Sequence, residues 1–183
     1  MKYDIVLCGV GGQGIVLVSN LLIKVAEKSG LNVKQSEIHG MAQRGGAVSA
    51  LIRINDEEVH SPIISKGQAD IIISMEPLEI FRYLDFANSE TKLIVSGEPF
   101  NNISNYPELS VILSNLKKLN AYVIDKADNI MLAGATSNAM NIKFEVFEES
   151  LKELFTKKSE DVLMKVLAEL KNGKEIGEKL GIK

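Results

Sequence analysis

The residues best placed to do chemistry stand near the start of the chain, in the turn Gly9-Val10-Gly11-Gly12-Gln13-Gly14. The run Ile5-Val6-Leu7-Cys8 before it has the continuous apolar character of a buried strand. Behind it, Ile15-Val16-Leu17-Val18-Ser19-Asn20-Leu21-Leu22 has helical spacing. Strand, glycine turn and helix in that order form an anion cradle. The glycines let the backbone turn tightly and approach a ligand. The free N–H groups of the first helical turn, with the helix dipole, favour a phosphate or carboxylate. The same turn also serves close packing of the helix on the sheet, and the sequence leaves both readings open.

A second constellation is Glu37-Ile38-His39-Gly40-Met41-Ala42-Gln43-Arg44-Gly45-Gly46. It lies roughly 20 residues further on, where a dinucleotide-binding fold sets its ribose-reading carboxylate, a part Glu37 fits. A ribose gives no reason for the loop behind Glu37. Arg44 is one of three arginines in a chain that otherwise uses lysine. A planar guanidinium beside bare glycine backbone suits a phosphate, a carboxylate or an acidic partner residue, and equally a helix end to which it pins the loop. His39 is a candidate acid/base or a loop hydrogen-bonder; no nucleophile with a matching base is evident from spacing. Glu76, at a strand end before Pro77, reads as a helix-start carboxylate favoured by the dipole.

The elements that must position these residues alternate along the chain. Lys28-Ser29-Gly30 ends the first helix and residues 32–36 form a short second strand, giving a βαβ unit. Residues 47–54 and 58–61 flank Asn55-Asp56-Glu57 and predict a hairpin with Arg53 on its wet face. Strands follow at 69–74, 92–96 and 121–125, and helices at 77–84, 107–119 and 128–139. The last of these carries Ala133-Gly134-Ala135 as a close helix contact. Amphipathic helices at 145–155 and 160–171 end the chain. The expected fold is α/β: a doubly wound, mostly parallel Rossmann-like sheet with a hairpin insertion and C-terminal helices, in a single domain over residues 1–183. The strands' carboxyl ends then carry both loops, with Met75-Glu76-Pro77 and Ser96-Gly97-Glu98, at the edge where open α/β sheets bind ligands.

Composition narrows the function. A net charge of −3 gives no nucleic-acid footprint and no polybasic membrane patch. No apolar run approaches the ~20 residues of a membrane span, and the N-terminus reads directly into a strand without a signal peptide, so a cytoplasmic location is expected. Tryptophan is absent and aromatics make up 5% of the chain, which demands an aliphatic core. Cys8, the one cysteine, reads as a buried apolar residue; a single thiol makes no internal disulfide and no four-cysteine cluster.

The turn at 9–14 and the loop at 37–46 together resemble the gamma-type subunit of 2-oxoacid:ferredoxin oxidoreductases, with the closest likeness to the small beta subunit of the indolepyruvate enzymes. Ser61-Pro62, the run from Gly67-Gln68-Ala69-Asp70 to Glu76-Pro77-Leu78-Glu79, and Asn129-Ile130-Met131-Leu132-Ala133-Gly134-Ala135 are similar to the same family. The likeness covers most of residues 1–180 and departs from the family where the segment 125–129 is short. It implies a non-catalytic subunit of a complex that oxidatively decarboxylates a 2-oxoacid to an acyl-CoA. Thiamine pyrophosphate, Mg²⁺ and iron–sulfur clusters would sit on partner subunits, ferredoxin would accept electrons from the complex, and CoA would be contacted at the interface. The binding residues implied are Gly9, Gly11, Gly12, Gln13, Gly14, Glu37, His39, Gly40, Met41, Gln43, Arg44, Gly45 and Gly46, with no catalytic residue and no metal ligand. The wording Met-Ala-Gln-Arg-Gly-Gly favours an arylpyruvate such as indolepyruvate over pyruvate or 2-oxoglutarate. A stand-alone NAD-dependent Rossmann oxidoreductase and a CoA- or phosphate-binding module are the alternatives.

Overall fold

The computed structural model describes residues 1–39, 45–101 and 103–183, with His39 described by its backbone alone. Its centre is β1 (Lys2–Val10), whose apolar run is buried on both sides. Strand alternation divides that run between two layers: Ile5 and Leu7 join one core, Val6 and Cys8 the other. The remaining strands are β2 (Asn32–His39), β3 (Ala47–Asn55), β4 (Ile71–Ser74), β5 (Lys92–Ser96) and β6 (Tyr122–Ile124), in the spatial order β2-β3-β1-β4-β5-β6. β4, β5 and β6 continue parallel from β1. One face carries α1 (Ile15–Lys28), α3 (Asn129–Thr136), α4 (Phe144–Leu154) and α5 (Glu160–Leu180); the other carries a 3-10 helix (Glu79–Phe86) and α2 (Leu109–Lys118). Helices on both faces make the sheet doubly wound, as the alternating pattern predicts. The core is aliphatic, with Phe147 as its largest fully buried side chain.

The hairpin is built from other strands than the turn signal suggests. β3 runs antiparallel along the whole of β2, from Asn32 opposite Asn55 to His39 opposite Val48, and also antiparallel to β1. The hairpin is therefore β2–β3, and its connection is residues 40–46. β1 and β2 are not neighbours, so the expected βαβ unit is split by β3. Residues 58–61 form no strand. Arg53 supplies the reason. Its Nε donates to Oδ1 of buried Asp4 at 2.7 Å, and its Nη1 donates to the carbonyls of Ser61 and Ile63 at 3.3 and 3.4 Å. Carbonyls that a strand would pair are held by a guanidinium, and Arg53 is a partly buried pin rather than a wet-face residue.

Two helices also differ from their sequence reading. The segment after Pro77 is a 3-10 helix of Glu79–Phe86 rather than an α-helix from residue 77. The last helix runs to Leu180 instead of stopping at Lys171, because Gly173 and Gly177 are contact points and not breakers. A Cβ on Gly173 would lie 2.0 Å from the Met131 carbonyl oxygen, and one on Gly134 would lie 2.0 Å from that of Leu170. The close contact expected at Ala133-Gly134-Ala135 thus has its counterpart on α5. Asn138 seals it by donating Nδ2–H to the Lys174 carbonyl at 2.9 Å. Among the described residues no helix is long and apolar enough to cross a membrane.

Candidate functional site

After β1 the chain reverses through Gly11, Gly12, Gln13 and Gly14 into α1. The turn is closed by the Gln13 N–H donating to the Val10 carbonyl at 3.1 Å. Gly12 and Gly14 have φ of 106° and 82°, a region that L side chains rarely adopt. The Gln13 side chain bridges two strand ends. Its Oε1 accepts from Val10 N–H at 2.8 Å, and its Nε2 donates to the Met75 carbonyl at 3.0 Å, just past β4. β1 and β4 flank the point where chain connections diverge to opposite halves of the sheet, which is where doubly wound folds open a crevice. Gln13 crosses that crevice. Asn129, at the start of α3, comes so close that a Cβ on Gly14 would lie 1.9 Å from its Nδ2.

Two hollows result. One, of about 310 Å³, is lined by Gly12, Gln13, Met75, Glu98, Phe100 and Asp128, among others, and its exposed carboxylates make it acidic. The other, of about 330 Å³, is lined by Val10, Gly11, Gly12, Gly14, Ile15, Val16 and Val48. Among the described residues the N–H groups of Gly12, Gly14, Ile15 and Val16 have no acceptor, so the start of α1 keeps the unpaired donors and positive dipole end that favour an anion.

The structure joins the two sequence constellations at one point. Gly11 N–H donates to the Gly46 carbonyl at 2.9 Å, which ties the glycine turn to the start of β3 and to Gly45, whose φ is 78°. Gly9 packs against the residue that follows β4, where an added Cβ would lie 2.9 Å from the Met75 Cβ. Glu37 lies on β2, on the face of the sheet that carries α1; two residues earlier Gln35 accepts a hydrogen bond from Ser19 of α1. β3 separates Glu37 from β1 by two strand spacings, about 10 Å. A ribose-reading carboxylate sits on the strand beside β1, so Glu37 is displaced from that part. Gly40, Met41, Gln43 and Arg44 lie outside the described residues, as does the side chain of His39.

Glu76 is the helix-start carboxylate that the sequence indicates, and it does more. Buried, it accepts from Leu78 N–H at 2.7 Å and Glu79 N–H at 2.8 Å through Oε2. Through Oε1 it accepts from the Tyr106 hydroxyl and, at 3.4 Å, from Phe100 N–H. Burial, then the Glu76 carboxylate, push the Tyr106 hydroxyl pKa upward. Glu98 is at the sheet edge that the sequence indicates and Asn129 opens a motif already singled out; Phe100 and Tyr106 carry no such signal, because they enter through tertiary contacts and their local pattern is only that of a polar loop. Asp128 caps α3 by accepting from Met131 N–H at 2.8 Å. Burial and then the Asp128 charge push the neighbouring Glu169 carboxyl pKa up. Burial raises the Cys8 thiol to about 12, so it stays protonated and inert, as a buried apolar cysteine should. Chemically, the edge offers an anion cradle, an acidic hollow and, among the described residues, no nucleophile paired with a base.

Comparison with known proteins places the chain in a family and the fold among solved structures. The chain is 35% identical over 188 residues to indolepyruvate oxidoreductase subunit IorB of Archaeoglobus fulgidus, an alignment spanning 91% of this chain and 92% of that one. The fold is that of pyruvate oxidoreductase subunit PORC from Thermotoga maritima, with a TM-score of 0.72 at 18% identity over 95% of this chain and 96% of that one. It is also found in the 2-oxoglutarate:ferredoxin oxidoreductase of Magnetococcus marinus, solved with 2-oxoglutarate, coenzyme A and succinyl-CoA bound. There the TM-score is 0.75 at 20% identity, and the whole of this chain corresponds to 32% of the other. Residues 4–176 match the pyruvate ferredoxin/flavodoxin oxidoreductase family, to which this chain belongs.

Proposed function

We propose that the chain is the gamma-type subunit of a thiamine-dependent 2-oxoacid:ferredoxin oxidoreductase of the indolepyruvate branch, a single domain of cytoplasmic location with no catalytic activity by itself. The observation that carries this reading is the union of the two family motifs at one sheet edge, through the Gly11–Gly46 hydrogen bond beside unpaired N–H groups. The likeness to the Archaeoglobus subunit over nearly the whole of both chains supports the indolepyruvate branch. Thiamine pyrophosphate, Mg²⁺ and the iron–sulfur clusters belong to partner subunits. A cluster takes several thiolates, whereas this chain has one cysteine, buried and protonated. Electrons leave the complex to ferredoxin.

CoA meets this chain on the glycine side of the edge, where a phosphate finds the N–H groups of the α1 start. Arg44, two residues before Gly46, is suited to the same phosphate or to a partner carboxylate. An NAD-dependent enzyme is the weaker reading, since Glu37 stands across β3 from β1, a strand away from where a ribose-reading carboxylate sits. Gly11→Val tests the proposal by closing the backbone approach. In the assembled complex it should raise the apparent KM for CoA at least tenfold. Unchanged CoA kinetics in a folded, assembled variant would reduce the turn to a packing role.

A further inference from the structure

Between β5 and α2, residues 97–101 and 103–108 form a ridge with a hollow on either side. Phe100, on the ridge, lines the acidic 310 Å³ crevice, while Ile103 and Tyr106 line an open groove of about 420 Å³. Phe100 and Ile103 are 43% and 49% exposed, two apolar side chains on a loop that is otherwise mostly polar. The ridge is held from beneath. Buried Glu76 accepts from Phe100 N–H near its beginning and from the Tyr106 hydroxyl near its end, so both sides are fastened to the carboxyl end of β4. Such anchoring lowers the ordering cost of a contact.

The surroundings are acidic. Glu98, Glu108, Asp125 and Asp128 are exposed at this edge, and Lys126 is the one cation among residues 96–109 and 121–129. The facing surface must therefore offer apolar hollows for Phe100 and Ile103 among lysines and arginines. A second copy of this chain would bring acid against acid.

We infer that this ridge, through Phe100 and Ile103 and set by Glu76, is a docking element for the thiamine-bearing subunit of the complex. That subunit must hold an anionic 2-oxoacid and a cofactor diphosphate, so cations near its mouth suit both its chemistry and this acidic rim. The ridge flanks the crevice crossed by Gln13, on the same sheet edge as the glycine turn, and so extends the surface through which CoA is proposed to be met. The inference rests on the chain's being a subunit of that complex.

The test is the affinity of the full-length chain for the separately purified thiamine-bearing subunit at low and high salt. Phe100→Asp and Ile103→Asp should weaken association at least tenfold with unchanged melting temperatures. Glu98→Lys with Glu108→Lys should weaken it and flatten its salt dependence. Ile63→Asp and Met164→Asp serve as controls, since these residues are 58% and 63% exposed on the segment pinned by Arg53 and on α5; they should stay within twofold of the wild type. Wild-type binding with undiminished affinity in the two ridge variants overturns the ridge and leaves the subunit reading standing. Loss that is equal in the controls also overturns it, as does a self-association of the isolated chain that Phe100→Asp abolishes. Failure of the wild type to bind the large subunit removes both.

Discussion

At the scale of single residues, the edge of the sheet is governed by side chains that satisfy backbone groups where regular structure ends. Gln13 joins β1 to β4 through one acceptor and one donor, and Glu76 gathers three N–H groups and a phenol. Replacing Glu76 by Gln turns one acceptor oxygen into an N–H₂ that faces donors. A buried donor left without an acceptor costs about 1–3 kcal/mol. Glu76→Gln should therefore lower the stability measured by urea unfolding by that amount, and Tyr106→Phe by less. Wild-type stability in Glu76→Gln would mean that the ridge is held by packing alone. Glu76 was readable in advance as a helix-start carboxylate, because a carboxylate just before Pro at a strand end has a local electrostatic role. Its bonds to Phe100 and Tyr106 were not. They span 24 and 30 residues and leave no periodic or spacing signal.

Among the elements, the clearest physical statement is made by small residues where helices meet. α3 and α5 pack backbone to backbone because Gly134, Gly173 and Gly177 leave no side chain between them. Gly173→Ala would put a methyl 2.0 Å from the Met131 carbonyl oxygen, which cannot move aside as a side-chain tip could. Overpacking of this kind costs about 1–3 kcal/mol, and thermal melts of Gly173→Ala against the exposed Glu175→Ala should separate the two by that margin. Sequence pattern showed the α3 half of this contact and concealed the α5 half, since a glycine in a helical run reads as a stop until its neighbour is known. The hairpin failed for a related reason. Asn55-Asp56-Glu57 has turn chemistry, yet the pairing partner of β3 was decided by β2 across the glycine-rich connection and by Arg53 holding the carbonyls of residues 61 and 63.

The α1–α4 contact makes a different prediction, of pH dependence. Lys24, then Lys28, hydrogen-bond Glu153 and hold its carboxyl at about 2, below the usual carboxylate value of 4.5. A depressed folded pKa adds stability above pH 4.5 that is lost as pH falls toward 2. Glu153→Gln should melt slightly below the wild type at pH 7, the gap closing near pH 2 and also in high salt, because the pair is exposed and screened. A gap that persists at pH 2 would show that Glu153 acts through packing instead.

For the whole molecule, the fold class and most strands and helices followed from the alternation of apolar runs and amphipathic segments. What escaped was the strand order, which local pattern does not encode. With β3 between β1 and β2, Glu37 is set a strand away from β1, and the glycine turn instead meets Gly46. The molecule thereby presents at one edge an anion cradle, an acidic crevice and an apolar ridge, while the one thiol lies buried. On the proposed function, such an edge completes another subunit's site and the isolated chain runs no redox reaction. Reconstitution measures this most directly: indolepyruvate- and CoA-dependent reduction of a viologen dye by the isolated chain, by the thiamine-bearing subunit, and by both together. The mixture should be active and the isolated chain inactive, and the isolated chain should also lack an iron–sulfur absorption spectrum. Dye reduction by the chain alone, or full activity of the large subunit without it, would contradict its role as a subunit that is inactive alone and required in the complex.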